Sequence, residues 1–156
     1  MHNPSATLRS AWARLNSVPG GTWLFSQVVG WVVPYSRTVG AHVRELRPGY
    51  CRATLRDRRK VRNHFQSIHA VALINLGELA SGLATTLALP PHVRGIPIRI
   101  TAQYLKKARG RLTAEAQVFL PAVGESPLDY QVESTISDPS GEPVCRVAVT
   151  WRLERR

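Results

Sequence analysis

Apolar positions in the first part of the chain recur at helical spacing. Leu8, Trp12 and Leu15 fall three and four residues apart, which predicts a short amphipathic helix over residues 5–17. Pro19-Gly20-Gly21 ends it. Thr22 is placed to cap a second helix through Trp23, Phe25, Val28, Val29 and Val32, which Pro34 stops. From residue 38 the period shortens. Residues 38–46 and 50–55 read as strands joined by the turn Arg47-Pro48-Gly49-Tyr50. A charged loop over residues 57–66 leads into a long apolar run from Ile68 to Leu87, closed by Pro90-Pro91. Four strand-like runs follow, at residues 94–105, 112–119, 130–137 and 144–153. They are divided by K-K-A-R-G, P-A-V-G-E-S-P and D-P-S-G-E-P, all turn-forming sequences.

The order is therefore two helices, two strands, one long helix and four strands. That long helix is apolar almost all round, so it must be surrounded rather than laid on a surface. One antiparallel sheet curled around it meets the requirement and places the chain in the α+β class. Residues 1–36 form a helical extension packed on the core, and residues 37–156 form the main domain. The run from Ala70 to Leu89 has the length to cross a bilayer. Asn75 and Glu78 interrupt it, and a carboxylate inside a membrane is costly, so a buried helix and no integral membrane insertion are expected.

The few polar positions of this helix carry the candidate chemistry. At about 100° per residue, Asn75, Glu78, Gly82 and Thr85 lie along one line, with Ser81 close by. Gly82, one turn past Glu78, leaves room beside the carboxylate. His69 stands at the helix start, where free backbone N–H groups of Ala70 and Val71 can receive a developing negative charge. Asn63, six residues earlier, can add a donor or hold a water. Each residue also has an ordinary reading: His69 as a cap or core histidine, Glu78 as a helix-edge carboxylate paired with an arginine. Geometry narrows the catalytic reading. Nine residues separate His69 from Glu78 by about 13.5 Å and half a turn. Within one chain they cannot reach the same carbonyl. Two copies with antiparallel helices would bring them together, so a catalytic pair requires a homodimer, alone or in a dimer of dimers.

Charge adds a partner. Lys and Arg number 21 against 10 Asp and Glu, a formal net charge of +11. Such a balance attracts polyanions. The basic residues cluster at 52–62, 106–111 and 152–156. Aromatic residues are not interleaved with these clusters as stacking platforms would be, which argues against nucleic acid. Cys51 and Cys145 show neither disulfide-framework nor metal-ligand spacing. A reducing cytoplasm, with cysteines as small core residues and no metal, is the expectation.

The stretch N-H-F-Q-S-I-H-A-V-A-L-I-N-L-G-E-L-A-S-G resembles the N-x(5)-H-[GA]-[GA]-x(6)-[DE]-x-A-x-G block of hotdog-fold thioesterases, in particular the phenylacetyl-CoA thioesterase-like branch and related bacterial proteins. The resemblance spans roughly residues 38–153. It implies a hotdog fold and hydrolysis of an acyl-CoA thioester, with no cofactor beyond the coenzyme A of the substrate. It also implies roles. Glu78 stands where the family has its catalytic base or nucleophile. Asn63 and His69 stand where polar residues flank the thioester, and Ala70 where a backbone N–H polarises the carbonyl. Val71 departs from this block, standing where it has a second small residue; in addition, the family usually has Gly where Ala70 stands, and a hydroxyl residue is common one turn past the carboxylate where Gly82 stands, for which Ser81 or Thr85 could substitute. These departures leave open a non-catalytic acyl-CoA or lipid-binding protein. Coenzyme A would meet basic surface at Arg59 and Arg62 or at Lys106, Lys107 and Arg109.

Overall fold

The computed structural model describes residues 4–155. Three helices come first: α1 (Pro4–Leu15), α2 (Gly21–Val32) and α3 (Pro34–Val39). Their starts and stops correct the expectation in two places. Thr22 does not cap α2. The cap position belongs to Gly20 in the left-handed conformation, and the Thr22 hydroxyl lies 3.1 Å from Nε2 of His42. Pro34 does more than stop α2; its fixed φ suits a first helical position, and it opens α3. Gly40 at φ +69° then ends α3, so β1 begins at His42 and not at residue 38.

The strands are β1 (His42–Arg47), β2 (Tyr50–Leu55), β3 (Val93–Tyr104), β4 (Leu112–Gln117), β5 (Leu128–Ser137) and β6 (Pro143–Arg155). They pair antiparallel in the order β1-β2-β4-β5-β6-β3. The long helix α4 (Ala70–Ala88) connects β2 to β3 at the far edge, so it crosses the sheet. Period-2 patterning sends one face of each strand towards α4: Cys51, Ala53 and Leu55 from β2, Leu112, Ala114 and Ala116 from β4, and Val147, Val149, Trp151 and Leu153 from β6 are buried.

Gly77 fixes how closely helix and sheet approach. A Cβ there would lie 2.6 Å from Val147, and Ser134 Oγ donates to the Gly77 carbonyl at 2.9 Å. The face of α4 turned from the sheet meets the N-terminal helices. Trp12 of α1 and Phe25 of α2 stack edge to face at 5.0 Å and belong to the same core as Leu79 and Leu83. By length and apolarity α4 could cross a membrane, yet most of it is buried between sheet and helices. At the sheet edge, β3 pairs on one side only and leaves Ile96, Ile98 and Ile100 between 43% and 47% exposed.

Candidate functional site

Two depressions of one chain hold some of the candidate residues: Glu78 and Gly82 line one, and Asn63, Ala70, Lys106 and Lys107 line the other. Glu78 lines a cavity of about 650 Å³ under the N-terminal helices. Its walls are apolar: Leu8 and Ala11 of α1, Val28 and Val32 of α2, Leu79 and Leu83 of α4, and Trp151 of β6. No cation pairs with Glu78 among the described residues. Burial alone pushes its pKa above the ordinary carboxylate value. Gly82 lines the same wall, and its missing side chain gives Glu78 Oε1 and the Trp151 ring their space.

The hydroxyl residues fall differently from the sequence reading. Ser81 is fully buried and donates to the Glu78 carbonyl at 3.0 Å. Thr85 is also fully buried, its Oγ1 without a partner among the described residues, and the hydroxyl residue of α4 that lines the cavity is Thr86. The reason is angular: residue 86 is within about 40° of residue 82 around the helix, whereas residue 85 turns about 60° the other way.

Asn63 and Ala70 line a separate pocket of about 310 Å³ with Phe65, Tyr104, Lys106 and Lys107. Asn63 organises the loop before α4. Its Oδ1 accepts from the Phe65 and Ser67 amides at 3.0 and 3.3 Å and from Ser67 Oγ at 3.1 Å. With Oδ1 so used, the Nδ2 amide donates to no acceptor among the described residues. His69 caps α4: its Nδ1 accepts from the Val71 amide at 3.1 Å, which places the ring proton of a neutral imidazole on Nε2. The Val71 amide, expected as a second donor to a substrate, is therefore already used. The Ala70 amide has no acceptor among the described residues.

The basic candidates divide as well. Arg62 is held by Asp57 at 2.6 Å, and Asp57 also accepts from the Gly110 amide. Lys106 is paired with Asp138 at 2.7 Å and with Glu142. Both side chains thus make loop contacts while remaining 38% exposed. Arg59 and Arg109 make no ion pair among the described residues, and Lys107 stands 5.8 Å over the Phe65 ring. The sequence reading missed the cavity walls supplied by α1 and α2. Val28, Val29 and Val32 mark an apolar face of α2, but nothing local says that this face lines a cavity. It also missed Trp151, which strand patterning marks only as inward-facing.

The family described as a domain of unknown function, DUF4442, matches residues 21–153. A structural-genomics crystal structure superposes with a TM-score of 0.82 at 31% identity, covering 97% of this chain and 98% of the other. A Pseudomonas aeruginosa protein of unknown function, described as a probable thioesterase, gives a TM-score of 0.75 at 22% identity over 89% of this chain and 97% of that one. A thioesterase family protein from Silicibacter pomeroyi gives 0.69 at 18% identity over 84% and 96%. None of the curated proteins matches. The latter two likenesses establish a shared fold, the curved antiparallel sheet around a central helix. The chain belongs to the DUF4442 family and has the hotdog fold.

Proposed function

We propose that the protein hydrolyses an acyl-CoA thioester at a site shared between two copies. The observation that carries the reading is Glu78, a largely buried carboxylate on the wall of an apolar cavity, with Gly82 holding open the space beside it. An acyl chain fits the cavity by chemistry. A carboxylate with a raised pKa suits a general base.

In the proposed mechanism Glu78 takes a proton from water, and the water oxygen attacks the thioester carbon. The Ala70 amide and the Asn63 Nδ2 of a second copy receive the oxyanion, with His69 Nε2 as a further donor. Collapse of the tetrahedral species breaks the C–S bond, and the proton on Glu78 passes to the departing thiolate. Within one chain about 13.5 Å and half a turn of α4 separate His69 from Glu78, so the second copy is required.

Support for pairing comes from β3. Its unpaired edge runs twelve residues and exposes three isoleucines, and Val71 on α4 is 47% exposed. Long apolar edges are normally covered. A twofold β3–β3 junction would cover them and lay two α4 helices antiparallel. Two buried, unpaired cysteines agree with a reducing cytoplasm.

Loss of turnover in Glu78→Gln, with acyl-CoA binding retained, tests the reading across a panel of acyl lengths. Unchanged turnover removes Glu78 from the reaction. A second reading, binding without hydrolysis, draws on Ser81, whose hydroxyl is bonded back to the helix, and on the side chain of Val71 where a small residue is usual. Tight binding with no turnover over the whole panel would favour it.

A further inference from the structure

Next to the apolar cavity lies a pocket of opposite character. It measures about 310 Å³ and is enclosed by α2, α3, the start of β1 and residues 56–60. Arg37, Arg44, Arg56, Arg58 and Lys60 line it, and no Asp or Glu does. None of the five makes an ion pair among the described residues. The carboxylates nearest them in sequence are engaged elsewhere, Glu45 with Arg52 and Asp57 with Arg62.

Three of the guanidinium groups are held in place. Arg37 lies 5.0 Å over the Trp31 ring, Arg44 donates to Thr54 Oγ1 at 3.2 Å, and Arg58 donates to the Val39 carbonyl at 3.0 Å. Gly40 permits the last of these approaches, since a Cβ there would lie 2.5 Å from Arg58 Nη2. Arg56 and Lys60 make no side-chain hydrogen bond among the described residues. Burial, and then Arg44, Arg56 and Arg111, lower the pKa of His42, which also lines the pocket. Five cations around one pocket repel one another unless an anion sits among them. Arginines held in fixed orientations suit the several oxygens of a phosphate.

The pocket also has a fixed relation to the apolar cavity. Val29, Ser36 and Leu79 belong to the walls of both, and Leu79 follows Glu78 on α4. The cationic pocket and the apolar cavity are thus neighbours across a shared wall. We infer that the pocket under α2 and α3 binds a phosphate group of an amphiphile whose apolar chain occupies the adjoining cavity. Two sources share this chemistry: the coenzyme A of an acyl thioester, and the headgroup of a lysophospholipid. The inference rests on the proposed function only in seating an acyl chain in the cavity, and it does not require hydrolysis.

Calorimetric titration of the Glu78→Gln protein with lauroyl-CoA, lauroyl lysophosphatidic acid and phosphate-free monolauroylglycerol tests it. Adding R56Q and K60Q should weaken binding of a phosphate ligand about tenfold, the loss of one or two charge-assisted contacts. Monolauroylglycerol should bind unchanged. R14Q with R146Q removes the same net charge outside the pocket and should have no effect. K60Q alone should give part of the loss, which guards against misfolding of the double variant. Sensitivity confined to lauroyl-CoA assigns the phosphate to the coenzyme; sensitivity confined to the lysophospholipid assigns it to a headgroup. Equal affinity of R56Q/K60Q for both phosphate ligands overturns the inference. So does an equal loss in R14Q/R146Q, or a loss found with R59Q/R109Q instead. Turnover is measured separately on the native protein. Its absence alongside charge-sensitive binding strikes the reaction and leaves the pocket.

Discussion

A Cβ at Gly82 would come within 3.3 Å of Oε1 of Glu78 and 3.7 Å of the Trp151 ring. The glycine thus leaves the carboxylate room that a methyl group would narrow. Gly82→Ala should leave the fold intact, because helix propensity gains up to about 1 kcal/mol and the crowded neighbour is a side-chain end that can move. Turnover should fall severalfold as Glu78 is displaced. Denaturation midpoint and hydrolysis rate measured on the same preparation separate the two effects, and a rate equal to the native one would show that the carboxylate position is not critical.

Gly77 makes the informative contrast. There the added methyl meets Val147 at 2.6 Å and Ser134 Oγ at 2.8 Å, inside the helix–sheet contact. Overpacking of this kind costs roughly 1–3 kcal/mol. Gly77→Ala should therefore lower stability by about that amount in urea denaturation, opposite in sign to Gly82→Ala.

Glu78 also gives a pH dependence with a definite sign. Its folded pKa lies above the unfolded value because burial disfavours the charge. A group of this kind binds its proton more tightly when folded. Its contribution is complete below the unfolded pKa and is lost as pH rises through the folded one. Native stability measured against Glu78→Gln should decline as pH climbs from the carboxylate range towards neutrality. Hydrolysis should rise over the same window if Glu78 acts as the proposed base, which needs its deprotonated form. A stability difference that stays flat with pH would contradict the assigned burial.

How far the sequence specified this molecule depends on which contacts are local. The sheet and α4 were legible because β2, β4, β5 and β6 alternate cleanly and α4 is apolar on nearly every side. The start of β1 was not. Thr38 and Val39 have strand-forming side chains, but Pro34 and Gly40 bracket a helix there, and buried Ser36 and Val39 hold it. The separation of Glu78 from His69 followed from helix geometry alone. The cavity did not, since it forms only when α1 and α2 fold back over α4, a long-range contact that no local pattern encodes. Nor could residue types reveal that Lys106 and Arg62 are already paired.

Because α1 and α2 supply the cavity wall, their anchor matters to the whole fold. Phe25 is fully buried against Trp12. Phe25→Ala should cost about 3–5 kcal/mol and lower affinity for long acyl chains more than for short ones. A stability change below about 1 kcal/mol would show that the helices are loosely attached.

The β3 edge should control assembly. Ile98 is 44% exposed on the unpaired strand. Ile98→Asp places a charge in the proposed junction while leaving the monomer's core untouched. Sedimentation should show a shift to monomer, accompanied by loss of turnover. An unchanged oligomer would move the junction away from β3.

Subunit complementation tests the shared site most directly. Glu78→Gln and the double variant Asn63→Ala/His69→Ala should each be inactive as separate preparations. After subunit exchange, mixed dimers carry one intact site, with Glu78 from one copy and Asn63, His69 and the Ala70 amide from the other. Equal mixing should restore about a quarter of native activity, half the dimers being mixed and half their sites intact. No recovery despite demonstrated exchange, or activity in a monomeric variant, would contradict the shared site.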